Sequence, residues 1–425
     1  MSKTKVALLG AGFIADLHFE SLHRFVPEAE VVAVYARNPE KAEAFARKRH
    51  IARWFADLEQ AITESGCDVV DVCLPNFLHH RAVMAAAKAG KHVIIEKPLC
   101  VTLEEADEMI AACQAVNRKL MYAEELCFAP KYERVRLLAN EGAFGKIYML
   151  KQAEKHSGPH SDWFYDIAQS GGGVMMDMGC HALAWFRWML GGRPRALSVQ
   201  AHMQSGLLHQ HRTRGEENTV VIVEFEGGVI GVAEDSWAKH GGMDDCIEVY
   251  GTGGVCYADM CQGSSALTYS EQGYGYAMEK AGLTKGWSFT IFEEAFNYGY
   301  PQELKHFIEC VREDKPPLVT GEDGRAALEL IYAAYRSAGT GQKVTLPFHA
   351  KVAKPVDLWL GAGATGRRGL RGAVPLHRDA APGRRRGRRR GASRSRSRVR
   401  SDHGRAVASR DARRVRRSAR PTSRC

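Results

Sequence analysis

The chain has 425 residues and a formal net charge of +10, and 45% of its residues are apolar. The basic excess lies in residues 361–425, which contain 22 Arg and three Asp but no Lys or Glu, while the preceding residues carry 37 basic and 46 acidic side chains. An acidic body argues against nucleic-acid binding by the chain as a whole. No apolar run reaches the length of about 18 residues that a membrane span needs.

The 11 cysteines include no Cys-x-x-Cys pair and no zinc-finger spacing. This number and spacing of cysteines predict reduced, mostly buried thiols in a cytoplasmic protein, and they predict no metal site. The amino-terminal apolar run ends at Gly10, so no secretory signal peptide is expected.

From residue 4 to about residue 125, segments typical of strands alternate with segments typical of helices. The strands are nearly continuous apolar runs, namely KVALLGAGF, AEVVAVYAR, CDVVDVCLP, KHVIIEKP and KLMYAEEL. Between them lie helical patterns such as IADLHFESLHRF and TLEEADEMIAACQAVN. This alternation predicts a parallel, doubly wound sheet with both faces covered. Residues 1–125 are therefore predicted to form an α/β Rossmann domain that binds a dinucleotide.

The pattern changes after Pro130. A short helix leads into the strand KIYMLKQAEKH, and a second helix follows a loop. Long strand-like stretches separated by glycine pairs come next, as in an antiparallel meander, before helices near Pro301–Glu313 and Asp323–Ala338. Residues 126–350 are predicted to form an α+β domain.

Residues 351–425 are predicted to form a disordered Arg-rich tail, because they have almost no apolar periodicity. A basic arm for nucleic acid or a membrane surface is one interpretation. The other is a solvated terminus without a role, or out-of-frame translation of a GC-rich message. The absence of lysine among the many arginines of residues 361–425 favours this second interpretation.

The segment GAGFIA follows the first strand and begins a helix, and it places Gly10, Gly12 and Ala15 in a Gly-x-Gly-x-x-Ala pattern. Gly10 permits a tight turn, Gly12 lets the backbone approach a pyrophosphate, and Ala15 lets helix and strand pack closely. Together with the intervening Phe13 and Ile14, these residues are predicted to bind a dinucleotide.

The end of the second strand bears on the choice of cofactor. Tyr35 and Ala36 occupy the region where a carboxylate that holds the ribose 2′-hydroxyl of NAD is expected. Arg37 and Lys41 follow, and their charge suits a 2′-phosphate. The cofactor is therefore predicted to be NADP or NAD, with NADP favoured, although Arg37 could stack on the adenine of either one.

Two further segments lie at carboxyl ends of strands, where doubly wound sheets bind ligands. LPNFLHH contains Pro75, Asn76 and His79, and EKP contains Glu96 and Lys97. The proline after Lys97 favours extended backbone and so a stiff frame for the ammonium group. All five residues are candidates for the cofactor site, and Lys97 is also a candidate for the chemistry.

The segment GGGVMMDMGCH, residues 171–181, places three glycines before a helix and puts Asp177 and His181 on that helix, four residues apart. Residues at i and i+4 share one helix face, and the glycines are expected to let the backbone crowd the same site. His181 is suited to taking a hydroxyl proton, because the unperturbed pKa of histidine is near neutrality. Asp177 is predicted to contact the substrate or to steady the imidazolium.

The loop EKHSGPHSDWFYD, residues 154–166, precedes this helix and contains His156, His160, Trp163 and Tyr165. Aromatic faces beside polar groups suit a sugar ring, although an ordinary surface loop accounts for these residues equally well. Metal binding by the histidines has no support from standard ligand spacing.

These motifs, in this order and spacing, resemble the Gfo/Idh/MocA family of glucose–fructose oxidoreductases and inositol dehydrogenases over roughly residues 3–348. The resemblance implies a Rossmann domain followed by a domain built on an open, mostly antiparallel sheet, through which members commonly form dimers or tetramers. It also implies an active oxidoreductase whose catalytic residues fall on Lys97, Asp177 and His181.

The sequence thus predicts an NAD(P)-dependent dehydrogenase or reductase that acts on a secondary alcohol of a sugar, cyclitol or related polyol. Two alternatives remain open. One is an NAD-dependent glycosidase of the same architecture, which oxidises, eliminates and reduces again. The other is a non-catalytic ligand sensor, against which intact Lys97 and His181 argue. The expected assembly is a homodimer or homotetramer.

Overall fold

The structure, a computed structural model, describes residues 2–192, 194–261, 266–271, 286–290 and 294–361. From residue 362 onward, the predicted Arg-rich tail lies outside the described residues. The first residues of that predicted segment pack on the body instead, because Val356, Leu358 and Trp359 are buried in the hydrophobic core.

Residues 4–123 build the first sheet and its helices. The strands are β1 (Thr4–Leu9), β2 (Ala29–Tyr35), β3 (Arg53–Phe55), β4 (Val69–Val72), β5 (His92–Glu96) and β6 (Leu120–Ala123). The helices between them are α1 (Phe13–Phe25), α2 (Pro39–Arg49), α3 (Leu58–Glu64), α4 (His79–Lys88) and α5 (Leu103–Ala115).

All neighbouring strands of this sheet run parallel, in the order β3-β2-β1-β4-β5-β6. Every residue of β4 is buried, as expected for a strand that is covered on both faces. The strand order reverses between β1 and β4, and ligands bind at such a reversal, outside the carboxyl ends of the strands. The predicted doubly wound sheet is confirmed.

The rest of the described chain builds a second sheet and a group of helices. Its strands are β7 (Ile147–Lys155), β8 (Ala196–Gln204), β9 (Asn218–Phe225), β10 (Ile230–Ser236), β11 (Asp244–Gly251), β12 (Val255–Asp259), β13 (Ala266–Ser270), β14 (Gly286–Thr290) and β15 (Val344–Thr345). Its helices are α6 (Pro130–Asn140), α7 (Ile167–Ser170), α8 (Val174–Asp177), α9 (Gly179–Met189), α10 (Glu294–Asn297), α11 (Tyr300–Arg312), α12 (Gly321–Thr340) and α13 (Asp357–Leu360).

Seven of these strands form one sheet in the order β12-β11-β7-β10-β9-β8-β15, and β13 pairs with β14 alone. The seven-stranded sheet is mostly antiparallel, but β7 and β10 run parallel. The sequence predicted an antiparallel meander, in which all neighbouring strands are antiparallel. The parallel pairing of β7 with β10 differs from that prediction. The reason is that α7 to α9 and two strands separate β7 from β10 along the chain, whereas a meander requires direct hairpin connections.

The carboxyl-terminal helices return to the first sheet. Helix α11 packs on α1, where the rings of Tyr300 and His18 lie 5.8 Å apart. Helix α12 packs on α5, and Arg325 of α12 forms an ion pair with Asp107 at 2.8 Å. The carboxyl-terminal helices therefore pack against the helices of the first sheet.

The structure also bears on membrane-spanning helices and on disulfide bonds. Within these ranges no helix is both long and apolar enough to cross a membrane. The ten cysteines in the same part of the chain form no disulfide with one another, and seven of them are buried.

Candidate active site

A cavity of about 350 Å³ lies between the glycine turn before α1 and helix α9. Its first end is lined by the predicted cofactor residues Gly10, Gly12, Phe13, Ile14, Arg37, Pro75 and Asn76, together with Lys41. Its second end is lined by Glu96, Lys97, Glu125, Glu154, Asp177, His181 and Asp245. The structure thus brings residues from both sheets to one cavity.

The geometry at the first end fits a dinucleotide. Gly10 has a φ of +132°, and a Cβ atom there would lie 2.3 Å from the carbonyl oxygen of Cys73. Gly12 caps α1 without a side-chain hydrogen bond, and a Cβ atom there would meet nothing within 4 Å. The backbone N–H groups at the start of α1 therefore face open space, as pyrophosphate binding requires. Ala15 is fully buried against the strands.

The residues at and after the end of β2 line the cavity, as the sequence predicts. Arg37 and Lys41 line the cavity with Tyr35 and Ala36, and no carboxylate from the end of β2 joins them. The side chain of Asn38 is used locally, because its Oδ1 accepts a hydrogen bond at 2.7 Å from the backbone N–H of Lys41 at the start of α2. This end of the cavity is therefore basic.

Lys97 and Asp177 meet at the second end of the cavity. The Nζ atom of Lys97 lies 3.0 Å from the carbonyl oxygen of Asp177 and 3.5 Å from its Oδ1. The other carboxylate oxygen of Asp177 accepts a hydrogen bond from the indole N–H of Trp237 at 3.0 Å. Burial by itself lowers the pKa of Lys97, but Asp177 together with Cys180, Glu125 and Glu154 outweighs it and holds that pKa well above its usual value. Lys97 is therefore an ammonium group and a hydrogen-bond donor.

Asp177 and His181 do not share one continuous helix. Helix α8 ends at Asp177, helix α9 begins at Gly179, and Met178 between them has φ −114° and ψ −37°. The carbonyl oxygen of Asp177 accepts hydrogen bonds from Lys97 and from the thiol of Cys180, which divert it from regular helical bonding. The prediction of a single helix is wrong, although both side chains still line the cavity.

The carboxylate that contacts the imidazole of His181 is Glu124, which the sequence interpretation did not name. Oε1 of Glu124 lies 2.5 Å from Nδ1 of His181, and Oε1 of Glu125 lies 3.8 Å from Nε2. Burial, followed by the neighbouring Glu125, raises the pKa of Glu124 well above its usual value. The role of steadying the imidazole, which was predicted for Asp177, thus falls to Glu124 in this geometry.

The three glycines before α8 serve a packing purpose. A Cβ atom at Gly172 would lie 1.9 Å from the hydroxyl of Tyr335, and one at Gly173 would lie 2.0 Å from the carbonyl oxygen of Glu216. The side chain of Glu216 also accepts hydrogen bonds from the N–H groups of Gly173 and Met175 at the start of α8. The expectation that these glycines crowd the substrate site is therefore wrong, since they do not belong to the cavity lining.

The four candidate residues in the loop of residues 154–166 fall into two groups. His160 and Trp163 line the cavity. His156 and Tyr165 are buried away from it: Nδ1 of His156 accepts a hydrogen bond at 3.0 Å from the N–H of Gly158, and Tyr165 packs in a small apolar cluster that includes Trp237. For these two residues the ordinary structural interpretation fits better than a sugar contact.

The candidate residues that follow β4 also differ in their relation to the cavity. Asn76 lines the cavity and donates a hydrogen bond to the carbonyl oxygen of Ser170 at 2.8 Å. His79 is fully buried outside the lining, with Nε2 2.8 Å from the carbonyl oxygen of Leu74 and Nδ1 3.1 Å from that of Pro98. Its position therefore contradicts the prediction that His79 is a cofactor contact.

His18 is a buried polar residue that the sequence interpretation missed. Its Nδ1 lies 3.0 Å from Oδ2 of Asp71 and its Nε2 lies 2.9 Å from Oε1 of Glu96. Burial lowers the pKa of His18, but Asp71 and Cys73 together outweigh it and raise that pKa well above the usual value. A histidine among the apolar positions of α1 was the one signal in the sequence. Through this contact α1 holds the side chain of Glu96 at the edge of the cavity.

A doubly wound sheet with a glycine turn, joined to a mixed sheet across a common cavity, is typical of a dinucleotide-binding protein. Residues 4–124 match the Gfo/Idh/MocA oxidoreductase family with its NAD-binding Rossmann fold, and residues 132–257 match the Gfo/Idh/MocA C-terminal domain. The chain belongs to the Gfo/Idh/MocA family of oxidoreductases.

Known proteins resemble the chain over nearly their whole length. Myo-inositol 2-dehydrogenase of Thermotoga maritima is 27% identical over 347 residues, which cover 80% of this chain and 98% of the relative. D-glucoside 3-dehydrogenase of Escherichia coli K12 is 29% identical over 362 residues, which cover 81% and 98%. The crystal structure of GenD2 from gentamicin A biosynthesis in complex with NAD has a TM-score of 0.76 at 31% identity and covers 82% of this chain and 97% of that one.

Proposed function

We propose that the chain is an NAD(P)-dependent dehydrogenase or reductase that acts on a secondary alcohol, or its ketone, in a sugar, cyclitol or related polyol. The observation that carries the proposal is the convergence of Lys97, Asp177 and His181 on the cavity that continues to the glycine turn. Relatives named for myo-inositol and D-glucosides support the substrate class.

The contacts assign different tasks to the three residues. His181 is the proposed acid/base, because it lines the cavity and Glu124 contacts its Nδ1, and Nε2 is the nitrogen proposed to exchange a proton with the substrate hydroxyl. Lys97 remains charged beside Asp177, so it donates a hydrogen bond to the reacting oxygen and does not serve as the base. Asp177 positions Lys97 from one carboxylate oxygen while Trp237 holds the other. A nicotinamide cofactor bound by the glycine turn would supply the hydride acceptor for this reaction.

Turnover of the variants His181→Ala and Lys97→Ala tests these roles. General acid–base catalysis contributes about 10²- to 10⁴-fold in rate, so each variant should lose turnover in that range. Cofactor affinity should change little, because the glycine turn holds the pyrophosphate. The measurement is reduced-cofactor formation over a panel of sugars, inositols and glycosides, with product analysis to detect cleavage of a glycosidic bond. Near-parental turnover of His181→Ala would remove it as the base, and cleavage without net cofactor turnover would indicate the glycosidase.

The cofactor is proposed to be NADP in preference to NAD. The basic lining by Arg37 and Lys41 supports a 2′-phosphate, although the related GenD2 structure holds NAD. Titration with NADPH and NADH should show tighter NADPH binding by the parent protein. Arg37→Ala should reduce the difference, and Arg37→Asp should shift the preference toward NADH. Clearly tighter NADH binding by the parent protein would contradict this choice.

The assembly is proposed to be a homodimer or homotetramer that forms through the seven-stranded sheet. Helices α9 and α12 pack on one face of this sheet. The other face presents large apolar side chains that are 38% to 67% exposed in the single chain, namely Tyr148, Leu197, Val220, Ile222, Ile230, Val255 and Tyr257. Large apolar side chains exposed on one face of a sheet are typical of an interface between protein chains.

A further inference from the structure

Glu125 is held at the substrate end of the cavity by the elements around it. It follows β6 closely, is 5% exposed and lines the cavity. Gly299, with a φ of +97°, packs against its backbone, because a Cβ atom there would lie 2.6 Å from the carbonyl oxygen of Glu125. The next residue, Tyr300, donates a hydrogen bond from its hydroxyl to Oε1 of Glu125 at 3.3 Å. The backbone and one carboxyl oxygen of Glu125 are therefore fixed before a substrate binds.

The second carboxyl oxygen of Glu125, Oε2, is buried and has no hydrogen-bond partner among the described residues. Glu124, Asp235 and Glu303 also have such an oxygen, but these three residues do not belong to the cavity lining. Buried polar atoms normally have a partner. Glu125 differs from the other three acids in having the cavity beside it, so a molecule that occupies the cavity can supply the partner of Oε2.

The partner that Oε2 lacks is a hydrogen-bonding group and not a counter-charge. Burial raises the pKa of Glu125 to about 8, although the nearby Lys97 ammonium acts in the opposite direction. The negative charge of Glu125, when present, is thus already countered by Lys97. A hydroxyl group suits this position in either protonation state, because it donates to a carboxylate and accepts from a carboxylic acid.

Glu125 also lies beside the proposed acid/base. Its Oε1 is 3.8 Å from Nε2 of His181, the nitrogen proposed to exchange a proton with the reacting hydroxyl. A hydroxyl that is hydrogen-bonded to His181 is therefore close to Glu125. Hydroxyls on adjacent ring carbons are about 3 Å apart, which is similar to a hydrogen-bond distance. Among the hydroxyls of a polyol, the neighbour of the reacting one is therefore the best placed to reach Oε2.

We propose that Glu125 is a specificity-determining residue whose Oε2 forms a hydrogen bond with the substrate hydroxyl on the carbon next to the reacting one. The proposal rests on the proposed dehydrogenase function and adds to it the need for a second hydroxyl. Tyr300 is a positioning residue, because it holds Oε1 of Glu125. A substrate without the second hydroxyl leaves Oε2 buried and unpaired, and sites built for a hydroxyl reject analogues that lack it.

The test compares probes that differ in one hydroxyl. Methyl β-D-glucopyranoside is compared with its four monodeoxy analogues, and trans-1,2-cyclohexanediol with cyclohexanol. Cofactor reduction gives kcat/KM, calorimetry gives binding to the cofactor-loaded enzyme, and product analysis identifies the oxidised carbon of the glucoside. In at least one of the two series, loss of the hydroxyl next to that carbon should lower kcat/KM of the parent protein by about tenfold or more.

The variant Glu125→Leu should lose most of this discrimination, because the hydroxyl-bearing probe falls to the level of its deoxy analogue while the deoxy analogue changes little. A variant that only displaced His181 would slow both probes alike, so the ratio separates a substrate contact from a structural role. Glu125→Gln should keep part of the discrimination, since an amide both donates and accepts. The matched control is Glu303→Leu, which removes a buried and unpartnered glutamate outside the cavity lining and should preserve the ratio.

Thermal unfolding shows whether each variant folds. If Glu125→Leu does not, Glu125→Asp replaces it, because its carboxylate is one methylene shorter and withdraws from the same contact. An unchanged ratio in the folded variant would overturn the proposal, and so would a parent protein that discriminates in neither series, including one that binds no probe. Weaker cofactor binding with intact discrimination would also overturn it, since Oε2 would then face the cofactor. Discrimination in binding without any cofactor reduction would instead contradict the dehydrogenase function and leave the Glu125 contact intact.

Discussion

His18 shows how a single buried residue supports the wall of the cavity. Its imidazole lies between the carboxylates of Asp71 and Glu96 with no exposure to solvent. A buried charge without its partner costs about 3–5 kcal/mol. His18→Leu should therefore lower the free energy of unfolding by about that amount, measured by urea denaturation. The control His23→Leu, on the exposed face of the same helix, should change it by about 0.5 kcal/mol or less.

The effect of His18→Leu should also depend on pH. The pKa of His18 in the folded protein is well above its unfolded value, so its stabilising contribution is fully present below about pH 6.5 and is lost as the pH rises through the folded pKa. The difference between parent and variant should therefore be largest in mildly acidic buffer and smaller in alkaline buffer. A difference that grows with pH would show that His18 is neutral in the folded protein.

At the residue scale, the sequence allowed some members of the site to be predicted. Lys97, Asp177 and His181 follow recognisable motifs and line one cavity. Glu124, Asp235 and Asp245 were missed because each belongs to a pair of adjacent acids within or beside an apolar strand, and acidic residues usually face solvent. Their inward orientation depends on the sheet register, which a single sequence does not specify.

The side chain of Glu216 holds the start of helix α8 in place by hydrogen bonds. Its carboxylate accepts hydrogen bonds from the Tyr335 hydroxyl at 2.7 Å and from the N–H groups of Gly173 and Met175. Burial raises the pKa of Glu216 to about 7, although these hydrogen bonds act in the opposite direction. The protonated form is therefore favoured by folding. Its contribution to stability is present below the unfolded pKa of about 4.5 and is lost as the pH rises through about 7.

The variant Glu216→Gln isolates this effect, because the amide keeps an oxygen for the same donors but does not titrate. Between about pH 4.5 and 7, one proton changes the free energy of unfolding by up to about 1.4 kcal/mol per pH unit. The parent protein should lose stability relative to Glu216→Gln across this range. Melting temperatures from pH 5 to 8 measure it, with Glu30→Gln on the exposed side of β2 as the control. Parallel curves for parent and Glu216→Gln would contradict the raised pKa.

The elements themselves were predictable to different degrees. Apolar runs and glycine turns were sufficient to predict the parallel sheet, because local pattern and burial agree in β1, β4 and β5. The break between α8 and α9 was not predictable, since it arises when Lys97, distant in sequence, binds the carbonyl of Asp177. The parallel pairing of β7 with β10 likewise depends on the path of the intervening helices.

For the whole molecule, the charge distribution separates the body from the tail. The body is acidic, and the basic excess lies in residues 361–425. We expect deletion of residues 362–425 to leave the melting temperature and turnover unchanged, because so little apolar surface cannot offset the entropy of ordering. A large fall in either quantity would show that these residues pack on the body or close the site. Loss of nucleic-acid binding alone would support the basic-arm interpretation.

The exposed face of the second sheet determines the expected assembly. In β9, Val221 and Val223 are buried while Val220 and Ile222 are 38% and 40% exposed, so the strand is apolar on both faces. Strands of antiparallel sheets that face water usually alternate apolar with polar residues. The apolar outer face is therefore expected to be buried against a second copy of the chain.

The variant Ile222→Glu tests this assembly. A charge in the middle of an apolar interface is buried without a partner when two chains associate, so it should shift the protein from dimer or tetramer toward monomer. Light scattering coupled to size-exclusion chromatography measures the mass. The control is Leu137→Glu on α6, which changes a comparably exposed apolar side chain, 42% exposed, that belongs to a helix and not to a strand of the sheet, and should leave the mass unchanged. A monomeric parent protein, or an unchanged oligomer in Ile222→Glu, would show that this face does not form the interface.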